Sequence, residues 1–88
     1  MAQVIYSARA LENLERATQL PEAPPAIASA VEHLAAHPLV GRRVEGDLRE
    51  LVISFGATGH IALYRFVVQR DEVRVLALRH QREIGYLP

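Results

Sequence analysis

The chain has 88 residues, no cysteine, and ten arginines balanced by ten acidic residues with no lysine, so its formal net charge is zero. A chain of this length builds one domain around one core, hiding roughly 60–65% of the surface its unfolded form exposes. The absence of cysteine excludes disulfides and thiolate chemistry, and the charge balance argues against a protein held to nucleic acid by many phosphate contacts.

The opening residues Met1-Ala2-Gln3-Val4 lack a basic and then apolar leader, and no apolar run approaches about 18 residues. Neither secretion nor membrane spanning is expected, and a cytoplasmic setting is. Charge is uneven along the chain. Residues 1–40 carry two arginines and four acids, whereas residues 41–88 carry eight arginines and six acids. Arginine used without lysine matches either biased genomic composition or a need for fork-shaped guanidinium contacts.

Val4-Ile5-Tyr6 reads as a short strand, and Ser7 is a suitable N-cap for the helix expected over Ala8 to Gln19. In that helix Leu11, Leu14 and Thr18 recur at helical spacing beside Ala10 and Ala17, with Arg9, Glu12, Glu15 and Arg16 opposite. Leu20-Pro21-Glu22 interrupts it, because proline disfavours helix at the residue before it. Pro24-Pro25 suits the first turn of a second helix, which runs to about Ala36 with Ile27, Val31 and Leu34 as its buried stripe. Alanine-lined faces predict a helical hairpin. His33 and His37 stand four apart, off the apolar stripe. No carboxylate or third histidine completes a metal set nearby, and late histidines suit a helix C-terminal dipole, so no metal site and no cofactor are expected.

Pro38 to Gly46 reads as a linker carrying Arg42-Arg43. Leu48 to Phe55 is strand-like, with Leu51, Ile53 and Phe55 on one face and Leu48 and Val52 on the other. Gly56-Ala57-Thr58-Gly59 reads as a hairpin loop. A further strand runs from Gly59 to Val68, a turn occupies Gln69-Arg70-Asp71, and a last strand from Glu72 ends in the polar cluster Arg79-His80-Gln81-Arg82-Glu83 shortly before Tyr86.

The order strand, helix, helix, strand, strand, strand describes an α+β domain: a small, mostly antiparallel sheet with the helical hairpin packed on one face. Arg49, Arg65 and Arg79 each sit among apolar strand neighbours. Since a buried unpaired guanidinium is very costly, they are expected on the open face of the sheet or at its rim. Whether Arg65 shares a face with Arg79 or with His80 depends on register, because a one-residue slip exchanges the faces. Ion pairs such as Arg49 with Glu50 or Arg82 with Glu83 explain single arginines equally well, and Asp71-Glu72 and Arg74 read as a solvated turn.

The element order, the third-strand pattern Gly59-x-x-x-Leu63-Tyr64-Arg65 and the last-strand run Val75-Leu76-Ala77-Leu78-Arg79-His80-Gln81-Arg82-Glu83 resemble the RelE/ParE toxins of bacterial type II toxin–antitoxin modules, also called plasmid stabilisation proteins. The resemblance covers nearly the whole chain. It implies a growth inhibitor neutralised by a cognate antitoxin, whose C-terminal segment wraps the toxin, in a possible hetero-oligomer. The two branches of the family differ in target. Members like RelE are endoribonucleases cutting messenger RNA on the ribosome; in that reading Arg65, Arg79, Arg82 and Tyr86 are the candidate catalytic residues. Members like ParE poison DNA gyrase through the last strand and C-terminus, whose His-x-Arg element His80-Gln81-Arg82 matches.

Two departures favour the gyrase branch. Gly59-His60-Ile61 stands where the ribonucleases place a basic residue, and Leu51-Val52-Ile53 stands where they carry lysines. The neutral net charge also contrasts with their basic character. On this reading Arg49, Arg65, Arg79, His80, Arg82, Glu83 and Tyr86 are the candidate target-binding residues. The ribonuclease remains the alternative, with a non-toxic protein-binding module as the second.

Overall fold

The three strongly patterned segments of the second half pair as neighbouring antiparallel strands. In the computed structural model, which describes residues 1–17, 19, 23–55 and 58–81, the elements follow as β1 (Gln3–Tyr6), α1 (Ala8–Ala17), α2 (Ala23–Ala36), β2 (Arg42–Glu45), β3 (Leu48–Phe55), β4 (Thr58–Val67), a 3-10 turn (Val68–Arg70) and β5 (Glu72–His80). The five strands form one sheet in the order β1-β5-β4-β3-β2. β1 lies parallel to β5, and every other pairing is antiparallel. The break at Leu20-Pro21-Glu22, the loop residues Gly56 and Ala57, and Arg82, Glu83 and Tyr86 lie outside the described residues.

This is the expected α+β layout with two corrections. Thr58 and Gly59, assigned to the hairpin loop, begin β4 and pair with Phe55 and Ser54. The segment assigned to a linker contains strand β2, which pairs with β3 through Arg42–Glu50 and Arg43–Arg49. Its four residues are all exposed, so it has none of the apolar alternation that reveals a half-buried strand. The turn into β3 makes the pairing possible. Gly46 takes a left-handed φ of 54°, where glycine carries no Cβ penalty, and the Arg43 guanidinium donates to its carbonyl at 2.8 and 3.1 Å.

Both helices cover one face of the sheet, α1 over β5 and β1, α2 over β3 and β1. In α2 the expected stripe is buried through Ile27 and Leu34, with Val31 packed against them. In α1 the buried stripe is Ala10, Asn13 and Ala17, whereas Leu11 remains 49% exposed. The helix is therefore turned about one residue from the orientation its leucines predict, and the reason is polar. Asn13 Oδ1 accepts the backbone N–H of Leu78 at 3.0 Å, and Ser7 Oγ donates to the Leu76 carbonyl at 2.8 Å while accepting the N–H of Ala10 as the N-cap.

These bonds hold a bulge in β5. Tyr64 pairs with Val75 and Leu63 with Ala77, leaving Leu76 without a partner on β4. A bulge frees backbone groups from the ladder, and Ser7 and Asn13 take them up beyond the end of β1. Asn13→Ala leaves the buried Leu78 N–H without its acceptor, so a loss of about 1–3 kcal/mol is expected in urea unfolding.

Tyr64, on the helix-covered face of β4, is fully buried, and its hydroxyl oxygen accepts the Gly41 N–H at 2.8 Å. Burial raises its pKa above the usual 10.0, against the smaller opposing effects of that hydrogen bond and of Arg49. Burial likewise raises the pKa of Tyr6. A phenol whose pKa is higher folded than unfolded adds stability that is complete below the unfolded value and is lost as pH rises through the folded one. Alkaline unfolding above about pH 10 is therefore expected, with the tyrosinate absorbance of these two side chains appearing together with loss of structure. Tyrosinate absorbance complete at the normal pH in still-folded protein would contradict this.

Candidate target-binding face

The face turned away from the helices carries the candidate site. Along β4 its residues are Ile61, Leu63, Arg65 and Val67. Register brings Val52, Glu50 and Leu48 of β3 alongside on one flank and Arg79, Ala77 and Arg74 of β5 on the other. Arg65 and Arg79 thus share this open face, which answers the question the sequence left undecided. They sit opposite Arg74 and Ile61 respectively, so about 13 Å of strand separates their register positions. Between them runs an apolar strip of half-buried Ile61 and Leu63, laid beside the buried Ala77 and continued by Val52, which is 56% exposed.

The acids of the chain engage much of this positive charge. Arg42 meets Glu50 at 3.2 Å, Arg65 meets Asp47 at 3.4 Å, and Arg74 meets Glu72 at 2.6 Å. Glu72 is 7% exposed, so its carboxylate is anchored beside the guanidinium. Glu72 and Arg74 therefore belong to β5 and to the open face, a correction to their reading as a solvated turn. Arg42 also enters the face from the strand that sequence reasoning missed. Its only sequence signal is its place in the Arg42-Arg43 pair before Gly46.

Two candidate residues lie on the other side of the sheet. Arg49 pairs in register with Tyr64, and its guanidinium donates to the carbonyls of Leu39 at 3.1 Å and Gly41 at 2.8 Å. It braces the connection between α2 and β2 instead of facing a target across the open face. His80 pairs with His60, and the two rings meet edge to face at 5.3 Å. Because Ile53 and buried His60 share that side, His80 faces away from Arg79. Among the candidates, the structure brings together Arg65 and Arg79, sets Arg49 and His80 on the opposite face, and describes neither Arg82, Glu83 nor Tyr86. Among the described residues no group of three or more His, Cys, Asp or Glu side chains is placed to hold a metal ion, and no helix is long and apolar enough to cross a membrane.

Two helices backing one face of a five-stranded mixed sheet make a RelE/ParE-like α+β fold. The fold is similar to that of a chain in the intact Escherichia coli RelBE toxin–antitoxin complex, with a TM-score of 0.70 at 13% identity over 89% of this chain and 94% of that one. It is also similar to a metal-bound toxin from Helicobacter pylori, with a TM-score of 0.65 at 12% identity over 97% of this chain and all of that one. The model of the ParE toxin of the type II toxin–antitoxin system parDE matches residues 4–85, and the chain belongs to that family. Toxin RelE3 of Caulobacter vibrioides is 44% identical over 57 residues, which make up 65% of this chain. The match spans 60% of that relative's length.

Proposed function

We propose that this chain is the toxin of a type II toxin–antitoxin module, held inactive by a cognate antitoxin and acting by poisoning DNA gyrase. The observation that carries the choice of a protein target is the makeup of the open face. Three of its arginines are engaged by carboxylates of the same chain, and an apolar strip separates Arg65 from Arg79. A surface built to hold RNA needs a clear positive excess over its own acids. An apolar centre with a rim of paired charges is instead the anatomy of a protein interface.

In this reading Arg65 and Arg79 flank the docking strip, Arg82, Glu83 and Tyr86 take part in target binding, and the antitoxin covers the same surface. Fold similarity to a toxin solved together with its antitoxin supports such a partner and a toxin–antitoxin hetero-oligomer. Expression in bacteria without the antitoxin tests the proposal. Growth arrest with induction of the DNA-damage response and intact messenger RNA is expected.

The similarity to Toxin RelE3, together with Arg65 and Arg79 sharing one face, favours ribosome-dependent messenger RNA cleavage as the second reading. There the arginines stabilise charge developing on the phosphate. Cleaved messages without DNA damage would establish that reading, and unimpeded growth would leave a non-toxic binding module.

A further inference from the structure

The C-terminal end of α2 presents two imidazoles to solvent, His33 from its last turn and His37 from the residue just after Ala36. His33 and His37 are both exposed, their ring centroids lie 5.2 Å apart, and the rings are tilted by 53°. They stand at the edge of an open cleft of about 570 Å³ completed by Ala36, Pro38, Leu39 and Val40. We propose that His33 and His37 form a two-nitrogen chelate for a late first-row transition-metal ion, Zn²⁺, Ni²⁺ or Cu²⁺.

The separation of the two rings matches that of a chelating pair. A metal about 2.0–2.1 Å from an imidazole nitrogen stands about 3.2 Å from the ring centroid, so two rings at a near-tetrahedral angle have centroids about 5 Å apart. Spacing of four residues at helical pitch is what brings two such rings to one ion. The backbone beneath them is firm, with the His37 N–H donating to the His33 carbonyl at 2.8 Å and the Val40 N–H to the His37 carbonyl at 3.1 Å. The negative end of the helix dipole also favours a cation at this turn. Imidazole suits Zn²⁺, Ni²⁺ and Cu²⁺ over Mg²⁺ and Ca²⁺, which prefer oxygen. With two protein ligands, the remaining coordination positions belong to water or to donors of a bound partner. The site lies at the end of α2, separate from the open face, and does not depend on the toxin reading.

Calorimetric titration of untagged protein with Ni²⁺ or Zn²⁺ near neutral pH tests the chelate. One ion per chain is expected, with a rise in melting temperature as metal is added. His33→Ala and His37→Ala should each weaken binding by about tenfold or more, equivalent to about 1.4 kcal/mol, while leaving the metal-free melting temperature nearly unchanged because both rings are exposed. Substoichiometric Cu²⁺ should broaden the NMR signals of residues 33–40 first. Broadening centred on His60 and His80, binding unaffected by either substitution, or no heat at millimolar metal would each overturn the proposal.

Discussion

Gly41→Ala is expected to lower the free energy of unfolding by about 2–4 kcal/mol, a large share of the roughly 5–10 kcal/mol available to a domain of this size. A Cβ at Gly41 meets the Tyr64 ring and hydroxyl at 2.6 Å and the Glu50 carbonyl at 2.8 Å. None of the three is the far end of a flexible chain. Tyr64 is held in the core, and Glu50 belongs to β3. Relief by moving the ring breaks the Gly41 N–H bond to the Tyr64 hydroxyl and disturbs the carbonyl that Arg49 holds. Gly46→Ala is the control, because nothing lies within 4 Å of its Cβ and only the left-handed backbone resists it, at about 1–2 kcal/mol. Urea unfolding of both variants compares the two costs, and equal losses would contradict the close packing of Gly41 on Tyr64.

Val52→Asp is expected to abolish growth arrest while changing stability by no more than about 0.5 kcal/mol. Val52 is 56% exposed and lies across from Ile61, on the apolar strip of the open face. A carboxylate there leaves the folded chain solvated but places an unpaired charge on the apolar part of a protein interface, where truncation of a hot-spot residue already costs about 2 kcal/mol or more. That is about thirtyfold or more in target affinity. A growth assay paired with urea unfolding measures both effects. Full toxicity in a stably folded Val52→Asp variant would move the docking site off this face.

The parts of the fold legible in the sequence are those whose side chains alternate or repeat around a buried side. Leu51 and Ile53 face the core and Val52 does not, as period two requires, and Ile27, Val31 and Leu34 mark the inner side of α2 in the same way. β2 was hidden because an exposed edge strand has no such contrast. The face occupied by Arg79 was hidden for a different reason. Counting five residues on from Arg74 at strict alternation places Arg79 opposite Arg65 and brings His80 beside it. The bulge at Leu76 adds one residue and reverses both assignments. Its supports, Ser7 and Asn13, are 69 and 65 residues away in sequence from the groups they hold, so no local pattern announces it. Asn13 stands among leucines and alanines as the residue out of place, and in a helix that packs on a sheet such a residue is the available signal of a backbone group needing a partner.

In the proposed function the open face engages a protein, DNA gyrase. The most direct test adds purified protein to gyrase, ATP and relaxed plasmid and follows supercoiling and trapped cleaved plasmid. Dose-dependent loss of supercoiling with accumulation of cleaved plasmid is predicted, together with its disappearance in Val52→Asp and in a chain truncated before His80. Unimpaired supercoiling at large molar excess of folded protein, with cleavage of messenger RNA on added ribosomes, would rule out gyrase as the target.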